Sequence, residues 1–120
     1  LTPHGDMSGL AKLAGQLVQG LDAFRAPAGP AEIAKRRGAV LTPRQDKNLL
    51  AWGYPYVFEE FQFHLTLTGR LDDDKIAQWE QVLTETLPPL PATFNVTSVA
   101  LVGERTDGFF EMVQRYDLTG

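Results

Sequence analysis

The 120-residue chain contains no cysteine and only two histidines, His4 and His64. Without cysteine there is no disulfide framework, no thiolate metal site and no cysteine nucleophile. The histidines and carboxylates form no cluster with metal-ligand spacing, so no metal and no other cofactor is expected. No apolar run approaches the roughly 20 residues that a membrane helix needs, and the start carries no signal-peptide pattern. A cytoplasmic protein without a membrane partner is therefore expected. Neither sign of charge dominates: 11 basic and 15 acidic residues give a net charge of −4. No global field draws in nucleic acid, which is not expected as a partner. What is present is ordinary, with 43% hydrophobic and 22% charged residues. That composition excludes a disordered tail or a collagen-like fibre, and the length suits one domain over residues 1–120. The chain opens on Leu1, not Met, which predicts a processed product or a piece of a longer protein.

The pattern of apolar residues changes along the chain. Leu10, Leu13, Leu17, Val18, Leu21 and Phe24 recur at three- and four-residue steps, which predicts an amphipathic helix from about Ser8 to Phe24. After a Pro/Gly break, a short helix is expected over 31–37, with Pro30 at its first turn. Thr42-Pro43-Arg44-Gln45 is a helix start, with Thr42 as cap and Gln45 completing a capping box. That helix should end near Trp52, because Gly53 can adopt a left-handed conformation and Pro55 cannot continue a helix. From Phe58 the period becomes two. Phe61, Phe63, Leu65 and Leu67 alternate with Gln62, His64, Thr66 and Thr68, which predicts a strand ending at Gly69. Asp72-Asp73-Asp74 opens a further helix whose apolar face is Ile76, Trp79, Val82, Leu83 and Leu87, stopped by Pro88-Pro89 and Pro91. Two strands, over 93–102 and 109–118, flank an Asp107-Gly108 turn. Trp79, Phe109 and Phe110 are expected in the core. The order predicts an α+β fold, a mainly antiparallel sheet with helices packed on one face.

The polar face of the predicted His64 strand is the candidate site. Residues i and i+2 of a strand share a face about 7 Å apart, so the His64 imidazole and the Thr66 hydroxyl can reach one small anion together. Imidazole moves protons near neutral pH, and a hydroxyl donates to a phosphoryl oxygen without adding charge. The plain alternative is a solvated sheet face. Tyr54 and Tyr56, flanking Pro55, are half-buried turn residues or a stacking surface for a base. Arg70 is close enough to touch an anion bound at the strand, or simply faces water. Lys35-Arg36-Arg37, with Arg44 nearby, is the strongest basic cluster: it holds a phosphate-bearing substrate or leans over a cleft or, the favoured reading, is a solvated helix C-terminal turn whose cations complement the dipole. His4, followed two positions later by Asp6, reads as an exposed loop residue. The acidic run at 72–74 is explained by the N–H groups of a helix start, not by a metal.

The stretch from Trp52 to Leu71, containing His64-Leu65-Thr66-Leu67-Thr68-Gly69, closely resembles the second signature of the two-histidine (2H) phosphoesterase superfamily. It is most similar to the branch of phosphonate metabolism proteins found alongside bacterial carbon–phosphorus lyase genes. Residues 22–27, 31–37 and 41–45 also resemble that branch. The resemblance covers most of residues 10–71, and beyond Asp72 only the element order is compatible. It implies a two-lobed fold in which each lobe offers one His-x-Thr/Ser motif to a shared cleft, with this chain as the C-terminal lobe. It implies that His64 activates water or protonates the leaving oxygen, that Thr66 orients the phosphate, and that Thr68, Arg70 and Tyr56 contact the substrate. The implied partners are a small cyclic or linear phosphodiester and a missing N-terminal lobe or a second copy, with no metal required. Because only one motif is present, two alternatives remain: a non-catalytic phosphate- or partner-binding module, and a structural domain in which His64 is idle.

Overall fold

A computed structural model describes residues 1–119. It contains four α-helices, α1 (Ser8–Leu21), α2 (Pro30–Arg37), α3 (Pro43–Trp52) and α4 (Asp73–Thr86), and two strands, β1 (Ser98–Glu104) and β2 (Phe110–Asp117). Single 3-10 turns occupy Asp22–Phe24 and Phe58–Glu60. The class is α+β, as the residue pattern predicts. The described residues fall into two compact units, Leu1–Arg70 and a second that begins at Leu71.

In the first unit the helices begin and end where the sequence places their signals. At α3 the Thr42 hydroxyl accepts from the Gln45 N–H at 3.2 Å, and the Gln45 side chain accepts from the Thr42 N–H at 3.0 Å. Gly53 closes α3 at φ 74°, and its N–H donates to the Leu49 carbonyl. A residue with a Cβ would be strained there. Pro30 occupies the first turn of α2. The expected first helix stops at Leu21, and the chain tightens to a 3-10 turn through Phe24. Arg25 then folds back, pairing with Asp22 at 2.8 Å and donating to the Ala51 carbonyl in the last turn of α3.

The core of this unit forms where α3 meets the turn that follows it. Leu49 is 1% exposed, and Pro55 and Val57 are also buried. Asn48, one position before Leu49, is buried too, and its side-chain amide donates to the carbonyls of Pro55 and Val57, each at 3.3 Å. A buried carbonyl without a donor is costly, so this one amide fixes the path of the chain leaving α3. Phe58 follows with φ 54°, a left-handed conformation uncommon for a bulky residue. Its ring meets Trp52 edge-on at 5.2 Å and lies against buried Gly15 of α1. A Cβ at Gly15 would stand 3.3 Å from that ring, so the glycine permits the close approach. α2 is tied to α3 by a two-pronged ion pair: Arg37 donates to both carboxylate oxygens of Asp46, at 2.6 and 2.8 Å.

The expected strand over 58–68 is not a strand. Its first residues form the 3-10 turn, and residues 61–67 take no regular secondary structure, bending at Thr68 and Gly69. One rung exists: Leu1 and Leu65 exchange N–H···O bonds at 2.8 Å in each direction, the reciprocal pair of an antiparallel ladder. Alternation describes an extended backbone but does not supply a neighbour. The apolar side of this segment is consequently not core, and Leu65 remains 47% exposed.

In the second unit α4 begins within the acidic run, with Asp72 at the cap position and Asp73 and Asp74 in its first turn, and ends just before the prolines. β1 and β2 pair antiparallel, Ser98 opposite Asp117 through Glu104 opposite Phe110. The register slips between Leu101 and Val102, whose partners are Gln114 and Met112, so Val113 is the extra residue of a bulge. Gly108 turns the hairpin at φ 82°, and Asp107 accepts from the Phe109 N–H and from the Arg105 guanidinium. β1 begins five residues later than the predicted strand over 93–102. The expected core positions Trp79, Phe109 and Phe110 are 39%, 72% and 73% exposed. The two phenylalanines sit at the tip of the hairpin, and a two-stranded ribbon buries neither of its faces by itself.

Two outcomes follow from these contacts. Asn48→Leu keeps the volume but leaves the Pro55 and Val57 carbonyls without their donor. It should lower stability by about 1–3 kcal/mol, read as an earlier urea midpoint at unchanged slope. The Arg37 guanidinium holds the Asp46 carboxyl below the usual aspartate range. That contribution is complete above the unfolded aspartate value of about 4 and is lost as pH falls through the lower folded value. Asp46→Asn should therefore lose less stability than the wild type between about pH 4 and pH 2, measured by thermal melts across the series.

Candidate active site

His64 sits on the extended segment two residues beyond Gln62, and its Nδ1 lies 2.9 Å from the Gln62 carbonyl oxygen. A carbonyl only accepts, so this bond requires the ring proton on Nδ1. In the neutral ring Nε2 is then the nitrogen with a free lone pair. The exposed imidazole is one of the walls of an open groove of about 620 Å³. Phe61, Gln62 and Phe63 continue the wall on the same segment, and Gln45 and Glu60 line it from α3 and the 3-10 turn. Tyr54 and Tyr56 complete it.

The groove follows from the turn held by Asn48. Pro55, pinned by its carbonyl, places Tyr54 and Tyr56 on either side, and their rings meet edge-to-face at 5.6 Å. The Arg36 guanidinium covers the Tyr54 ring, 4.9 Å from its centre, and also reaches Glu32 at 3.6 Å. Gln45 does two things at once: its Oε1 closes the capping box and its Nε2 donates to Glu60 Oε2 at 2.8 Å. Capping alone would account for Gln45 in the sequence, so the link to Glu60 has no signal there. The buried role of Asn48 is equally silent, since asparagine near a helix end usually signals a cap.

The structure brings His64 and Tyr56 to one groove. Thr66, Thr68 and Arg70 lie further along the chain and are not part of its lining. Thr66 and Arg70 are exposed, and Thr68 is half-buried at the bend. His4 is an exposed loop residue, as expected. The basic cluster is partly spent on structure, with Arg37 on Asp46 and Arg36 on Tyr54 and Glu32. Among the described residues, no group of three or more histidine and carboxylate side chains is placed to hold a metal ion. Nor is any described helix long and apolar enough to cross a membrane.

The arrangement is that of a single imidazole base on an accessible surface, beside an aromatic pair and a tethered carboxylate. Residues 1–111 match the family described as protein of unknown function (DUF1045), and the chain belongs to that family. Two curated relatives carry the name ribose 1,5-bisphosphate phosphokinase PhnN. The protein from Janthinobacterium sp. (strain Marseille) is 44% identical over 71 residues, covering 59% of this chain and 16% of that protein. The one from Laribacter hongkongensis (strain HLHK9) is 40% identical over 79 residues, covering 66% of this chain and 18% of that protein. The chain thus matches less than a fifth of the length of either relative. No solved structure matches it.

Proposed function

We propose that this chain is the C-terminal, His-x-Thr-bearing lobe of a 2H-type phosphodiesterase in phosphonate metabolism, acting on a small cyclic or linear phosphodiester of a phosphorylated ribose. The observation that carries the reading is the state of His64. Its Nδ1 proton is held by the Gln62 carbonyl, which leaves Nε2 free on an open groove. A general base needs that combination of an oriented ring and an accessible lone pair. The resemblance of residues 52–71 to the second 2H signature supports it. So do the names of the two relatives, since opening a cyclic phosphodiester of ribose yields a ribose phosphate, the class of compound that such a kinase takes.

In the reaction, water attacks phosphorus and gives its proton to one histidine as the new P–O bond forms. The P–O ester bond breaks, and the leaving oxygen takes a proton from the other histidine. His64 supplies one of these two transfers through Nε2. The Thr66 hydroxyl donates to a phosphoryl oxygen, and Thr68, Arg70 and Tyr56 contact the substrate. Thr66 lies outside the groove in this structure, so its part requires the phosphate to bind at the mouth, beyond His64. The chain holds one motif, so the partner histidine comes from another lobe or a second copy.

Phosphorus NMR of a ribose cyclic phosphate with the full-length protein tests this reading. His64→Ala should slow hydrolysis by about 10²- to 10⁴-fold, and residues 1–120 alone should turn over little or none. Equal rates from wild type and His64→Ala would remove His64 from the chemistry. Phosphate binding without turnover by the full-length protein would favour a binding module.

A further inference from the structure

The groove beside His64 contains a carboxylate that the proposed reaction does not use. Glu60 is half-buried, and its Oε2 accepts from Gln45 Nε2 at 2.8 Å. Gln45 is itself fixed, because its Oε1 accepts from the Thr42 N–H in the capping box of α3. Glu60 is therefore held from behind by a neutral amide, and no hydrogen bond is made to Oε1 among the described residues. No described lysine or arginine is among the lining residues, and the Arg36 guanidinium is engaged on the Tyr54 ring and on Glu32. A second phosphate placed there would be repelled. A hydroxyl would be held, because a carboxylate only accepts and charge-assisted bonds are the strong ones. Tyr54 and Tyr56 stand in the same groove, and aromatic rings favour the C–H face of a sugar.

We infer that Glu60 is a specificity-determining residue: it accepts a hydrogen bond from a free ribose hydroxyl while the phosphoryl end of the same molecule lies at His64. This rests on the phosphodiesterase reading and narrows it to substrates that keep a sugar hydroxyl uncyclised. Glu60 takes no part in proton transfer. Its effect is on which sugar is bound.

Calorimetric titration of the full-length protein with ribose 5-phosphate and 2-deoxyribose 5-phosphate tests the assignment. The wild type should bind the ribose form about tenfold more tightly, the effect of one hydrogen bond to a charged acceptor in an open groove. Glu60→Gln keeps an oxygen for the Gln45 N–H but turns a neutral donor to the sugar. It should reduce the preference to about twofold or less, with affinity for the deoxy form unchanged. Absence of a preference in the wild type, failure of both sugars to bind, or a preference that survives Glu60→Gln would each overturn the inference. A preference erased by Glu60→Gln in a protein that shows no His64-dependent hydrolysis would uphold the sugar site and sink the phosphodiesterase. Hydrolysis without any preference would do the reverse.

Discussion

The side-chain amide of Asn48 is the contact on which the arrangement of Leu1–Arg70 depends. α3 ends at a left-handed glycine, and the chain beyond it has no sheet to enter and no helix to continue. Two donations from Asn48 to the Pro55 and Val57 carbonyls set its direction. Everything in the groove lies downstream of that choice: Tyr54 and Tyr56 flank the pinned proline, and Phe58 turns against Gly15 and Trp52. Glu60 meets Gln45, and His64 emerges on the extended segment. The left-handed Phe58 costs about 1–2 kcal/mol relative to an ordinary conformation, and packing of its ring against Trp52 and Gly15 offsets it.

The orientation of His64 is local in the same way. The His64 ring is oriented by a carbonyl two residues away on its own segment, so its tautomer does not depend on any distant element. The segment gains a reciprocal pair of hydrogen bonds from Leu1 at Leu65.

Much of the first unit was legible in the sequence because its signals are local. The capping box at Thr42–Gln45, Pro30 at the start of α2 and Gly53 after α3 each act through the backbone of a few neighbouring residues. The strand expected over 58–68 does not form for the opposite reason. Pairing is a property of two segments, and alternation at Phe61–Thr68 reports only one of them. Trp79 lies on the apolar face of α4 and Phe109-Phe110 open the last strand, so all three read as core, yet a single helix and a two-stranded ribbon offer them little to bury against. His64 and Tyr56 could be found from motif and turn context. Gln45 and Glu60 could not, because their bond joins residues 15 apart through side chains that each have a commoner explanation.

The central claim is that Nε2 of His64 is the reacting nitrogen, and imidazole nitrogen NMR tests it most directly. In the protein at alkaline pH the His64 ring should carry its proton on Nδ1, the less common tautomer of a free neutral histidine. Addition of a slowly hydrolysed cyclic phosphorothioate should then shift Nε2 and leave Nδ1 nearly still. A ring protonated on Nε2, or a ring whose two nitrogens ignore the phosphodiester, would contradict the account.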